Sequence, residues 1–293
     1  MLPNSFARAL LRQWLRLGLD KRPGGWRIAQ ILVAGQESAP IKLAKQAPVY
    51  VDLRDFDLLE ISLLLAAPRE PDFEREDREL FRELLKPGDV VYDIGANIGY
   101  HTALFASLAG SSGKVYAFEP QPALLPNLRR TIAGMPTATL LELGLSNTES
   151  CLELHVPSHG YHMLASMGDP GVDSHVVVCK TAMLDKLRAS GEIAAPDFIK
   201  IDVEGAEPLV FEGARHLLDQ PLAPIVFFEQ WQDAARRLGL KGTAAADFLL
   251  ALGNPQFELF EAVGATFRPL DTNHVEKGNL LAVPKARRSR LGL

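Results

Sequence analysis

Val90-Val91-Tyr92-Asp93-Ile94-Gly95-Ala96-Asn97-Ile98-Gly99 is the stretch that decides the fold. Its first three residues are apolar without a break, as in a strand buried on both faces. Glycines at 95 and 99 then turn the chain, and the pattern over 102–109 reads as a helix. Outward from this unit the same alternation recurs. It predicts strands at 114–118, 139–145, 198–201, 225–228, 257–260 and 280–283, with helices at 72–85, 121–133 and 207–218. Apolar runs alternating with helical runs are the mark of a parallel sheet with crossover helices. The segments 151–156 and 175–180 alternate residue by residue instead, which predicts an antiparallel insertion.

A glycine turn between strand and helix lets a ligand approach the backbone, and the helix start offers free amides. Glu119 lies 20 residues past Gly99, at the end of the next strand. A carboxylate there can accept both hydroxyls of a ribose, so the layout suits an adenosine-containing cofactor. The dinucleotide fingerprint needs G-x-G-x-x-G around a pyrophosphate. Here the spacing is G-x-N-x-G, with Asn97 at the second glycine, and Asp93 stands just before the turn. An acid at that place repels a pyrophosphate and attracts the ammonium of a methionine moiety. This favours S-adenosylmethionine over NAD and leaves an NAD-dependent oxidoreductase as the alternative.

A second cluster, Ile199-Lys200-Ile201-Asp202-Val203-Glu204-Gly205-Ala206-Glu207, sits where a core strand ends. Ligands of open α/β sheets bind at that edge. Asp202 and Glu204 are the candidate catalytic carboxylates, whereas Glu207 suits a helix start. The intact cluster argues against a binding module without catalysis. His162, in Gly160-Tyr161-His162-Met163, is a second candidate base on a lid, while His155 and His159 read as loop histidines. Trp231 is a candidate wall for the acceptor, with core packing as its commoner fate. Asp202 and Glu204 offer hard oxygen donors that suit magnesium, but no residue is assigned as a metal ligand.

The run 91–100, then Ala117-Phe118-Glu119-Pro120, then 199–207, resembles the FkbM family of methyltransferases. Gly144-Leu145-Ser146-Asn147, the block 181–187 and Phe228-Glu229 agree in order, and the resemblance covers about 72–283. It implies a Rossmann-like class I methyltransferase fold: a mostly parallel seven-stranded sheet with helices on both faces; the N-terminal helical and strand extension and the basic tail lie outside the resemblance. It also implies S-adenosylmethionine as donor and O-methylation of a sugar, glycan or polyketide-type hydroxyl. By the same resemblance, Asp93, Gly95, Asn97 and Gly99 line the methionine and ribose portion. Glu119 holds the ribose, Ser146 and Asn147 meet the adenine edge, and Asp202 faces the sulfonium and the acceptor.

The expected domains are an N-terminal extension over 1–70, the methyltransferase domain over 71–284 and a basic, disordered, solvated tail over 285–293. In the extension a helix is expected over 5–19, with Arg8, Arg12 and Arg16 on one face and Phe6, Leu10, Trp14 and Leu17 near another. Packing on its own domain or a second subunit is the favoured reading, and peripheral membrane contact the other. Residues 28–47 have weak strand character, and 49–53 read as a short strand. The net charge of -5 and the lack of an Asn-Pro-Pro-aromatic run argue against a nucleic-acid substrate. Cys151 and Cys179 read as small buried hydrophobes. No apolar stretch is long enough to span a bilayer and Arg8, Arg12 and Arg16 break any signal-peptide core, so a cytoplasmic location is expected.

Overall fold

The computed structural model describes residues 4–18, 38–43, 46–52, 58–67, 69, 71, 74–157, 165–168, 171–270 and 275–292. The first helix is Asn4–Arg16. Strands β1 (Ala39–Ile41) and β2 (Val49–Val51) form a small antiparallel ladder. The main sheet then takes β3 (Val90–Ile94), β4 (Lys114–Phe118) and β5 (Ala138–Leu141). The insertion supplies β6 (Gly144–Leu145), β7 (Cys151–Pro157) and β8 (Ser174–Ala182). The main sheet resumes with β9 (Phe198–Ile201), β10 (Ile225–Trp231), β11 (Phe257–Val263), β12 (Thr266–Pro269) and β13 (Lys277–Pro284).

Its order is β12-β11-β13-β10-β9-β3-β4-β5. Strands β10, β9, β3, β4 and β5 pair in parallel, and β13 joins β10 and β11 in antiparallel register. The chain leaves β3 toward β4 and leaves β9 toward β10, so the order reverses between β3 and β9. That reversal opens a crevice at their carboxyl ends. Successive strand residues serve opposite faces: Tyr92, Ile94, Ile199 and Phe228 pack on one side, Val91, Val115, Phe198 and Phe227 on the other.

The expected alternation is present, with differences that have local causes. The strand expected over 139–145 is two strands. β5 ends at Leu141, and Gly144–Leu145 turns away to pair with β8 in the insertion's sheet. The main sheet has an eighth strand because β12 folds back on β11 as a hairpin. The helix expected over 207–218 breaks into Glu207–Gly213 and Arg215–Leu218. Helix Arg75–Leu84 buries Leu80, Phe81 and Leu84 as expected, while Phe73 lies outside the described residues.

The two ends of the chain are tied to the sheet. Leu11 and Leu15 are buried in the cluster that also holds Ile41, Val49, Ile98 and Leu128. The first helix thus packs on its own domain, with Leu11 and Leu15 inward rather than Leu10 and Leu17. The Tyr50 amide donates to Thr131 Oγ1 at 2.9 Å, fixing β2 on helix Leu125–Ala133. The tail is not disordered: it forms a 3-10 helix, Lys285–Leu291, none of whose residues is buried. Arg290 grips both Asp89 oxygens at 2.6 and 2.9 Å, and Arg287 reaches Asp197 Oδ1 at 3.0 Å. Cys179 is buried, but Cys151 is exposed, because it opens β7 on the outer face of the insertion. Among the described residues no helix is long and apolar enough to cross a membrane.

Candidate functional site

The turn after β3 is shaped by contact with the end of β9. Gly95 adopts φ 78°, and a Cβ placed there would lie 1.9 Å from Asp202 O, so only glycine fits. Asn97 follows at φ 53°, a left-handed conformation that asparagine tolerates. Its Oδ1 accepts from the Ile98 amide at 2.7 Å. Gly99 serves packing instead: its missing side chain lets Leu128 and Thr131 of helix Leu125–Ala133 come close.

Glu119 closes this turn from β4. Its Oε2 accepts the Asn97 amide and its Oε1 the Gln121 amide, each at 2.8 Å. Each oxygen keeps room for one more donor. Burial pushes the Glu119 carboxyl up to about 7, against the pull of those two amides and of Lys200. Asp93 lies beneath the turn, wholly buried. Thr102 Oγ1 donates to its Oδ2 at 2.5 Å, and its Oδ1 has no hydrogen-bond partner among the described residues.

These elements enclose a cleft of about 1050 Å³, part of it continuous with solvent. Leu124, Leu143, Leu145, Leu152 and Leu154 form its apolar side, and Glu74, His101, Glu119, Lys200, Asp202 and Glu204 its charged side. Of the residues expected at the cofactor, Gly95, Asn97, Glu119 and Asp202 line this cleft, whereas Asp93, Gly99, Ser146 and Asn147 do not. The last two are carried off by β6. The Ser146 amide donates to Ala182 O at 3.0 Å, and Asn147 Nδ2 donates to Glu212 Oε2 at 2.7 Å on the exposed surface.

At the charged end, Asp202, Glu204 and Glu229 bring one carboxylate oxygen each within 4.8 Å of one another. Lys200 Nζ donates to Asp202 Oδ2 at 3.2 Å, and Lys277 Nζ lies 3.3 Å from Glu229. Glu204 Oε2 is buried and finds no hydrogen-bond partner among the described residues. Burial first, then Asp202 and Glu229, push its carboxyl up to about 9. Burial and Asp202 raise Glu229 as well. A carboxyl raised that far favours its protonated form at neutral pH. Glu207 Oε1 accepts the Val203 and Gly205 amides at 3.1 and 3.4 Å, as befits an acid at a helix start.

His162 and His159 lie outside the described residues, and His155 sits on strand β7 rather than on a loop. Trp231 has Lys277 Nζ 3.6 Å and the Arg237 guanidinium 5.0 Å from its ring centre, so cations already stack on it. His101 lines the cleft with its Nε2 3.2 Å from Glu74 Oε2. Burial would raise the Glu74 carboxyl, but His101 and Lys200 more than offset this and hold it below the ordinary range. Sequence reading missed Glu74, which precedes the motif without a pattern of its own. It also missed Gln121, whose only signal was its place two residues past Glu119.

A family model described as the methyltransferase FkbM domain matches residues 93–254, more than half of the chain. Among curated proteins, the chain is 30% identical over 151 residues to the hexuronic acid methyltransferase AglP of Haloferax volcanii, covering 49% of this chain and 59% of that protein. It is 32% identical over 167 residues to the 31-O-demethyl-FK506 methyltransferase FkbM of Streptomyces tacrolimicus, covering 44% and 60%. The chain thus spans about three fifths of the length of these relatives. Among solved structures, methyltransferase FkbM from Methylobacillus flagellatus KT aligns with TM-score 0.43 at 16% identity, over 70% of this chain and 50% of that one.

Proposed function

The chain belongs to the FkbM methyltransferase family, and from that premise we propose that it binds S-adenosylmethionine in the cleft and methylates a hydroxyl of a sugar, glycan or polyketide-type small molecule. One observation carries the reading. Glu119 is buried at the end of β4 with both oxygens anchored by turn amides, and it still has acceptor capacity toward the cleft. That is the fixed, anionic acceptor a ribose diol needs. The residues fit the cofactor's charge too. Glu74, Glu119 and Asp202 outnumber Lys200 around the cleft, which suits a ligand bearing an ammonium and a sulfonium and opposes a pyrophosphate.

When bound, S-adenosylmethionine supplies an electrophilic methyl group on sulfur. The chain supplies position and a place for the proton. Asp202, about a third exposed at the carboxyl end of β9, accepts the proton of the acceptor hydroxyl at its carboxylate. Lys200 holds that carboxylate in place, and protonated Glu204 offers a hydrogen bond beside it. His162 is a further candidate base on sequence grounds. Because Lys200 and Lys277 already face two of the three clustered carboxylates, the cluster suits a shared proton better than a divalent cation. The acceptor class follows the relatives, one named for a hexuronic acid and one for demethylated FK506.

Calorimetric titration with S-adenosylhomocysteine and with NAD tests the cofactor. Transfer of a labelled methyl group to a panel of uronic acids, neutral sugars and polyketide alcohols tests the acceptor. Binding of NAD without binding of S-adenosylhomocysteine overturns the proposal.

A further inference from the structure

Gln121 presents a buried amide that the described residues leave unsatisfied. Its own main chain is fully committed: its amide donates to Glu119 Oε1 at 2.8 Å, and its carbonyl accepts from the Leu124 amide at 3.1 Å. The residue is only 2% exposed and lines the cleft, yet its Nε2 has no hydrogen-bond partner among the described residues. A buried, unpaired donor is costly, so a fold that keeps one points to a group that takes it up.

The surroundings say what kind of group. Pro120, Leu124, Leu143 and Leu145 line the same cleft. Pro120 lies 3.5 Å from where a Cβ of Gly144 would stand, so the end of β4 and the start of β6 meet in one apolar wall of the cleft. An apolar wall with one amide in it, next to the Glu119 carboxylate, has the parts of a nucleoside site: a base can lie on the wall while its ribose reaches Glu119. A carboxamide carries a donor and an acceptor side by side. This complements the exocyclic amino group of adenine and the ring nitrogen beside it. Neither Ser146 nor Asn147 lines the cleft.

We propose that the Gln121 carboxamide reads the amino edge of the cofactor's adenine and sets the choice of base; this rests on the S-adenosylmethionine reading of the cleft. The probes are S-adenosylhomocysteine and S-inosylhomocysteine, which differ in that edge: the amino group becomes a carbonyl and the ring nitrogen gains a proton. Both affinities are measured by calorimetry on the whole chain.

The wild-type protein is expected to prefer the adenosine form by about tenfold or more. Gln121→Leu is expected to bring the ratio of the two affinities close to one. Gln121→Glu, whose carboxylate only accepts, is expected to move the preference toward the inosine form, and it serves where the leucine variant fails to fold. If both affinities fall together in these variants and the ratio holds, the amide contacts the ribose or only the protein, and the proposal falls while the cofactor reading stands. If the wild-type protein binds neither nucleoside, the cofactor reading itself is wrong and this proposal goes with it.

Discussion

Lys200 stands beside Asp93 in the sheet: the two are register partners across the parallel β3–β9 pair, and the ammonium reaches on to Asp202 at 3.2 Å. Burial alone would lower the affinity of Lys200 for its proton. The carboxylates of Asp202, Asp93 and Glu74 more than offset this and hold its pKa above the ordinary value. One cation thus stands between Asp93, wholly buried beneath the turn, and the Asp202 carboxylate at the cleft.

Replacing that cation exposes the dependence. Lys200→Met leaves Asp93 buried without a counter-charge and is expected to cost about 3–5 kcal/mol in urea unfolding. Adding Asp93→Asn removes the stranded charge, and the double variant is expected to regain part of the loss. Additive losses in the two variants would show that the residues do not depend on each other.

Glu119 makes cofactor binding sensitive to pH. Its carboxyl stands at about 7 in the free protein, and hydroxyl donors favour the ionised form. Affinity for S-adenosylhomocysteine is therefore expected to hold above that pH and to fall below it, by up to about tenfold per pH unit. Glu119→Ala is expected to weaken binding by about 1.5–3 kcal/mol for each lost charge-assisted bond and to flatten the pH profile. Calorimetry between mildly acid and mildly alkaline pH reads both effects, and an unchanged profile in the variant counts against this role.

Asp202→Asn keeps the shape of the side chain and removes the proton acceptor. On whichever acceptor takes up the methyl label, the variant is expected to lose about a hundred- to ten-thousandfold in rate while still binding S-adenosylhomocysteine. A chelator is expected to leave wild-type transfer intact. Loss of activity with chelator and its return with magnesium would move the carboxylate cluster from proton handling to metal binding.

The raised acids also shape stability. Glu119, Glu207 and Glu204 stand at about 7, 8 and 9, each above a reference of 4.5, and burial is the first cause in every case. Between the unfolded and folded values the native chain binds more protons than the unfolded one. The stability these groups contribute is thus complete below the unfolded value and is lost as pH rises through the folded one. The melting temperature of the cofactor-free protein is expected to fall from mildly acid to alkaline pH. Glu207→Gln is expected to remove the part of that fall that runs from the unfolded value of 4.5 up to about pH 8, which calorimetric scans across the range will show.

The sheet was legible because its signal is periodic and local: apolar strands, turn glycines and amphipathic helices announce themselves within a few residues. Gly95, Asn97, Glu119 and Asp202 came with it, since each sits at a strand end that the pattern locates. That Ser146 and Asn147 lie off the cleft was not legible, because two residues after Leu141 decide which sheet the chain joins, and that depends on pairing with β8. The ordered tail depends on Asp89, 201 residues before Arg290, and on Asp197, 90 residues before Arg287, and no local pattern reveals such partners. Gln121 was missed for a related reason. An unsatisfied amide is a property of surroundings, not of residue type.

The position of β13 bears on how the protein is made. It follows β10 and β11 in the chain yet lies between them in the sheet. On the ribosome both earlier strands emerge before the one that separates them, and each presents an open edge meanwhile. Since β13 runs antiparallel to both, β10 and β11 point the same way, and direct pairing between them is a wrong but available sheet. The half built on β3, β4 and β5 can form earlier in synthesis, with its glycine turn. Glu229 gains its facing partner, Asn279, only when residues 277–284 slide into the gap. Arrival of that strand covers both open edges at once.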